Sequence, residues 1–517
     1  MNRDFFRFIM TENTCGTPHM ADMTYMTEMT EMTEITETAT DAGSDSLSNV
    51  QTGATEGVEI LTGDPKKALI KLSLPMIAAM MLLSVYNLID AVWVAGLGSD
   101  ALAAVGFTTP LIIMVIGLGN GIGAGVNSLI SRLIGAGDKA RADNAAMHSF
   151  CLTAVISVLI TVPVMVFLEP LLLALGAGST LDLAYKYSII LFSSIVFFLF
   201  TNIGYAVFRS EGNMKRPMYA MAASSVLNII LDPIFIYVLD WKIEGAALAS
   251  VVSVAAVSVV MIYWIRFGKS YLTFSWKRFK YDGRIVLDIL KVGIPASMEY
   301  MLIAIIVVIM NLLLVDVANE DAVAVYTTVW CVVMFAIVPL VAISTAAISI
   351  YGANFGAKRY DNLKVTLLYG TGIGVAVSAV IAVIVYVFAP EIAYLFTYTE
   401  GSAHLAGDFT AFIEIMCILY PFAALGLMAN SLFQGIGKGG TSFTVSLFRE
   451  VIFSAVFAYI LGKTLGWGQL GVWWGGLFGY IAGDTLGFIW AFLYVRYLLN
   501  KADTSRDCVK GAGAQED

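Results

Sequence analysis

From about residue 63 to residue 500 the chain alternates between apolar runs of about 20 residues and short polar breaks. Folded as a helix rising about 1.5 Å per residue, each run is long enough to cross the ~30 Å hydrocarbon core of a bilayer. The pattern predicts about twelve spans, at 69–95, 103–134, 144–168, 184–208, 218–239, 245–266, 286–314, 322–355, 364–388, 408–432, 443–463 and 471–496. The predicted class is an all-α polytopic membrane protein. Residues 1–62 break the pattern: they are polar and acidic, and Met23 to Glu37 repeats with a period of three, which suits neither helical nor strand burial. A disordered acidic tail is expected there. Its first ten residues hold no apolar run of signal-peptide length, and Met20 and Met23 offer later translation starts.

Composition agrees with the pattern. Of 517 residues, 58% are hydrophobic and 13% charged, against about 25% charged in a soluble domain. The net charge of -9 comes partly from the acidic tail, so it says little about partners, and nothing points to nucleic acid. Cys15, Cys151, Cys331, Cys417 and Cys508 are scattered, with no CxxC pair, and read as free thiols.

Charge also orients the chain. Arg132, Lys139, Arg141, Arg209, Lys215, Arg216, Arg266, Lys277, Arg278, Lys280, Arg284, Lys358, Arg359 and Lys438 all fall at or after the ends of even-numbered spans. The opposite loops are mostly acidic. The positive-inside bias predicts that both termini face the cytoplasm, in the plasma membrane.

An internal repeat divides the spans. Lys71-Leu-Ser-Leu-Pro75 recurs as Lys291-Val-Gly-Ile-Pro295, Gly137 to Asn144 as Gly356 to Asn362, and Phe208 to Gly212 as Phe433 to Gly437. Two homologous six-helix lobes follow: an N-lobe at 63–266, a cytoplasmic linker at 267–285, a C-lobe at 286–500 and a cytoplasmic tail at 501–517. The repeat preserves span parity, so the lobes share an orientation and are expected to enclose a central cleft.

Chemistry is then a matter of which polar groups stand inside the spans. Gly435 to Gly439 lacks the Walker A spacing, and no HExxH or GxSxG motif is present, so an ATP-driven machine or a membrane-embedded enzyme lacks its parts. An intramembrane carboxylate is costly and marks a functional site by default. Asp90 and Asp232 are such groups, and Asn228 shares a helix face with Asp232. Pro233 cannot donate to the carbonyl of Ile229, leaving an oxygen that a cation can use, and Pro75 and Pro233 are candidate bend points. The repeat places Met310, Phe453 and Phe457 opposite Asp90, Asn228 and Asp232, so the cluster belongs to one lobe. Such a pair suits a sodium ion or a proton, and the sequence leaves both open.

In the second lobe the charged groups are Glu299, Glu414, Arg449, Glu450 and Asp484. They are candidates for the substrate cleft, with Arg449 also placed to pair with a neighbouring carboxylate. Met76, Met80, Met81, Met298 and Met301 offer flexible lining for varied ligands, or ordinary packing. Trp467, Trp473 and Trp474 read as an interfacial aromatic belt.

With Pro75, the Val-Tyr-Asn-Leu-Ile-Asp90 run, Leu227 to Pro233 and Gly245-Ala-Ala-Leu-Ala-Ser250, the chain from about Gly63 to Lys501 resembles the multidrug and toxic compound extrusion (MATE) family. The resemblance implies a two-lobed, twelve-span antiporter that expels organic cations and other amphipathic compounds in exchange for sodium ions or protons. No other cofactor and no obligatory protein partner is implied. It also implies that Asp90, Asn228 and Asp232 form the N-lobe cation site, with Ser250 in place of the usual Thr and Tyr86 as the tyrosine accompanying Asp90. The branch that works from the second lobe carries its Glu about one turn later than Glu299, which favours the first-lobe branch. A lipid or lipid-linked oligosaccharide flippase of the same superfamily is the alternative, and it would want a more cationic cleft.

Overall fold

The computed structural model describes residues 55–268, 270–398 and 402–513, with side chains through residue 504. Among the described residues ten helices are long and apolar enough to cross a membrane, and two helix pairs, each bent by 47°, pass the same test together. Counting each bent pair once gives the twelve expected spans.

The chain begins with a short helix, α1 (Glu56–Thr62). The N-lobe follows as α2 (Pro65–Ala95), α3 (Ser99–Gly135), α4 (Lys139–Val166), the short α5 (Leu168–Ala174), the bent pair α6 (Leu181–Ser193) and α7 (Ile195–Ser210), α8 (Lys215–Pro233) and α9 (Lys242–Phe267). The C-lobe repeats the order: α10 (Gly283–Val317), α11 (Glu320–Gly356), α12 (Tyr360–Val387), the short α13 (Ala389–Thr397), the bent pair α14 (Ala406–Cys417) and α15 (Leu419–Gly435), α16 (Gly439–Leu447), α17 (Ser454–Tyr459) and α18 (Gly468–Gly513).

The duplication extends to backbone detail. Left-handed residues stand at matching turns: Gly137 and Lys358, and then Asp240 and Lys242 against Gly466 and Gly468. A π turn at Ile234–Val238 recurs as Ile460–Thr464. Tyr459 precedes the second turn, so the turn belongs to the repeat and does not require Pro233. Pro75 and Pro233 lie inside α2 and α8 respectively.

Two expectations change. The tail predicted for residues 1–62 ends earlier, because 56–62 are helical with Val58 and Leu61 fully buried; residues 1–54 lie outside the described part. The last helix continues to Gly513, through most of the tail expected at 501–517. Cys151, Cys331 and Cys417 are free thiols, whereas Cys15 and the Cys508 side chain fall outside the described residues.

The apolar cores show how the lobes meet. At the end far from the basic loops each lobe has its own core: Val94, Leu172, Ile195 and Ile243 in one, and Met310, Tyr326, Phe412 and Trp473 in the other. At the basic end a single core joins Leu61, Leu69, Met76 and Met214 to Ile343, Ile350, Leu367 and Met428. The lobes are therefore fastened at the basic end and part towards the other.

Glycine makes that fastening possible. On α3, Gly121, Gly125 and Gly135 lie against the backbones of Gly293, Ile289 and Ala353, where a Cβ has no room. Ser349 donates to Asn127 Oδ1 at 2.9 Å, and Ser128 donates to the carbonyls of Gln434 at 2.5 Å and Gly435 at 3.1 Å. The linker is bound to the N-lobe as well: Glu211 accepts from Ser270 Oγ at 2.6 Å and from the Tyr271 N–H at 3.0 Å. Burial pushes the Glu211 carboxyl above the ordinary glutamate range, against the opposing pull of these donors and of Arg216.

Candidate functional site

The N-lobe polar cluster forms where α2, α8 and α9 converge in the half of the bundle far from the basic loops. A spacing of four puts Asn228 and Asp232 on one face of α8, and both are buried, at 2% and 0% exposure. With its amide oriented by its neighbours, Asn228 donates to Asp232 Oδ2 at 2.8 Å. Its oxygen then accepts from Ser250 Oγ and N, each at 3.2 Å.

Tyr86 and Asp90 use the same spacing on α2. The Asp90 carboxyl lies close to Asp232, and the Tyr86 hydroxyl lies close to Ser250. All five residues singled out in the sequence thus meet. Tyr187 on α6 joins them, close to Asp90, Tyr86 and Asp232; it was not legible beforehand, because a tyrosine in an apolar helix reads as packing.

No Lys, Arg or His neutralises the pair among the described residues. Two carboxyls this close repel when both are ionised, unless a proton or cation lies between them. The available ligands are all hard oxygens: two carboxyls, three hydroxyls and an amide. That set suits a proton or an alkali cation and offers nothing to a soft transition metal.

The second-lobe candidates separate into three places. Arg449 is bound to Glu450 Oε1 at 2.6 Å and to Asp484 Oδ1 at 3.2 Å, with little exposure of any of the three. It is a satisfied ion triad inside the C-lobe rather than a free cation in the cleft. Glu299 accepts from Ser442 Oγ at 2.7 Å and from Gln434 Nε2 at 3.4 Å.

Glu414 lies elsewhere. It lines a cavity of about 470 Å³ with Pro390, Tyr394, Thr397 and Thr410, between α13 and α14 of one lobe. The expectation that it faces the central cleft is corrected: Gly407, Thr410, Ala411 and Glu414 share one face of α14, and the short helix α13, unanticipated from the sequence, receives that face. Trp473 is also not interfacial, being 1% exposed and stacked on Phe412 at 4.8 Å. Met76 belongs to the shared core, while Met298 and Met301 are exposed.

Comparison with known proteins finds relatives of the whole membrane-spanning part of the chain. A family model described as MatE matches residues 75–234 and 295–460, one stretch in each lobe. The multidrug export protein MepA of Staphylococcus aureus (strain N315) is 27% identical over 400 residues, covering 76% of this chain and 86% of that protein. The probable multidrug resistance protein YoeA of Bacillus subtilis (strain 168) is 26% identical over 446 residues, covering 84% and 94%. Among solved structures, the outward-facing conformation of a multidrug resistance MATE family transporter of the MOP superfamily matches with a TM-score of 0.84 and 36% identity. That match covers 86% of this chain and 99% of the other.

Proposed function

The chain belongs to the MATE family of multidrug efflux transporters, and on that premise we propose that it is an antiporter that exports amphipathic, often cationic compounds in exchange for sodium ions or protons. The observation carrying the proposal is the cluster of Asp90, Asn228, Asp232 and Ser250, built around the buried Asn228 and Asp232, which has two carboxyls and no basic partner among the described residues. Tyr86 and Tyr187 complete its wall. A cation entering this cluster neutralises the carboxyl pair and changes how α2 packs on α8. The cluster and the substrate-bearing cleft are then coupled if each occupant favours a different arrangement of the lobes.

The basic loops are taken as cytoplasmic and the membrane as the plasma membrane. The fastened end is then the inner one, and the structure corresponds to the outward-open half of an alternating-access cycle. In this state an external cation has a route to Asp90 and Asp232, and substrate has a route out.

The driving force is sufficient. One cation moving down about 100 mV gains about 2.3 kcal/mol, and a roughly tenfold gradient adds about 1.4 kcal/mol. The total supports a several-hundred-fold gradient of a neutral substrate; a monovalent cationic substrate reaches less unless the exchange is electroneutral.

Dye efflux from cells expressing the protein tests the reading. Export should stop when the sodium gradient or the proton gradient is removed, and which of the two stops it identifies the coupling ion. Export that survives removal of both gradients contradicts the proposal.

A further inference from the structure

The cavity between α13 and α14 belongs to the C-lobe alone and takes no part in the coupling cluster. Its volume of about 470 Å³ falls in the range of small-molecule sites, about 300–1,000 Å³. Pro390, Tyr394 and Thr397 of α13 form one wall, and Gly407, Thr410 and Glu414 of α14 the other.

Glu414 is the only charged group lining the cavity, and among the described residues it makes no hydrogen bond or ion pair. Three other acids at this end of the C-lobe have partners. Asp408 accepts from Gln469 Nε2 at 3.0 Å, Asp316 accepts from Lys463 Nζ at 2.6 Å, and Asp321 stands 3.4 Å from His404 Nε2. The breaks at Ser194 and Ile418 align the two bent pairs, and four residues before them stand Ile190 and Glu414. The fold itself therefore does not require a carboxylate here.

The walls offer acceptors. Thr397 Oγ1 and Thr410 Oγ1 donate to the Ala393 and Ala406 carbonyls of their own helices, each at 2.9 Å, so their protons are committed and their lone pairs remain. Tyr394 adds a phenol and an aromatic face. No Lys, Arg or His lines the cavity, and among the described residues no group of side chains here makes a metal centre. An organic cation with N–H donors fits these walls, and an anion does not.

The cavity also has a level in the bilayer. The 28 residues of α12 start at the basic end and rise about 42 Å, more than the ~30 Å hydrocarbon core. With the basic loops cytoplasmic, α13, which follows directly, lies among the outer headgroups. Phe388, Tyr394 and Tyr398 are exposed there as an aromatic belt. Below them Val380, Val383, Ile384 and Val387 form an exposed apolar stripe on α12 at helical spacing.

From this geometry we propose that the α13–α14 cavity binds an outer-leaflet membrane lipid whose headgroup ends in a primary ammonium. Its N–H donors meet Glu414, Thr397 and Thr410, with a charge-assisted bond to the carboxylate. The acyl chains lie along the α12 stripe. The headgroup phosphate stays outside the cavity, which has no cation to hold it. A quaternary ammonium lacks the N–H groups, and Glu414 repels an anionic headgroup. Bound in this way, the lipid ties α13 to the outer half of the bent pair.

The test reads lipids retained by the full chain in detergent, by native mass spectrometry, with phosphatidylethanolamine, phosphatidylcholine and phosphatidylglycerol of identical acyl chains in competition. The wild type should hold the ethanolamine lipid at least about fivefold over either of the others. Glu414→Gln should bring the three to equal occupancy, and Thr410→Val, which keeps the carboxylate, should lose part of the preference. Asp408→Asn, which changes the other carboxylate of α14, should keep it in full. No preference in the wild type, a preference that persists in Glu414→Gln or is unchanged in Thr410→Val, or an equal loss in Asp408→Asn would each overturn the proposal. So would displacement of the bound lipid by ethidium, which would assign the cavity to an exported cation instead. Failed gradient-driven export with preserved lipid discrimination would contradict the coupling reading and leave this site standing.

Discussion

Ser349 of the C-lobe donates to Asn127 Oδ1 of the N-lobe at 2.9 Å, and both residues are buried. The bond crosses the lobe boundary at the closed end, so it must break whenever that end opens. Removing one partner leaves the other unsatisfied, at about 1–3 kcal/mol. Asn127→Ala and Ser349→Ala are each expected to shift the lobes towards the opposite arrangement, and the double variant less than their sum. A double-mutant cycle read by alkylation of a cysteine introduced at the closed end measures this coupling; strict additivity would show that the bond does not hold the end shut.

The helix α1 joins the same closure. Leu61 is fully buried in the core shared by the two lobes, and the Thr62 carbonyl accepts from Arg359 Nη1 at 2.6 Å. Leu61→Ala should cost about 2–5 kcal/mol of closed-state stability. Faster alkylation at the basic end in Leu61→Ala, with unchanged reactivity at the far end, is the expected result.

Breaking the Arg449 triad should be worse than deleting it. Arg449→Met leaves Glu450 and Asp484 buried without a counter-charge, at about 3–5 kcal/mol. The triple variant Arg449→Met, Glu450→Gln, Asp484→Asn should recover much of that loss. Thermal unfolding in detergent compares the two; equal stability would mean that the triad carries little electrostatic weight.

Glu211 predicts a pH dependence. Burial raises its folded-state pKa above the ordinary glutamate value. Across that window the folded chain holds more protons at this site than the unfolded chain, so its contribution to stability falls as pH rises. In Glu211→Gln this component is absent. The stability difference between wild type and variant should therefore shift against the wild type as pH increases from about 4.3 upward, and a difference independent of pH would contradict it.

Much of the architecture was legible because bilayer crossing imposes a length and an apolarity on every span. The carboxylates Asp90 and Asp232 stood out for the same reason: an apolar helix makes an ionisable residue conspicuous. Tyr187 did not, since its contribution arises only when α6 packs on the cluster. Arg209 read as a loop cation at the end of a span, whereas it lies inside the last turn of α7 with its Nε buried. Glu414 was misplaced because α13 is too short to register as a span.

The central claim is that the N-lobe carboxyls carry the coupling ion. Its most direct test is uptake and release of dye by proteoliposomes under an imposed sodium or proton gradient, comparing wild type with Asp232→Asn and Asp90→Asn. Wild type should concentrate the dye against its gradient, whereas each variant should stay folded, bind dye and fail to respond to the imposed ion gradient. Gradient-driven transport by Asp232→Asn at the wild-type rate would contradict the account.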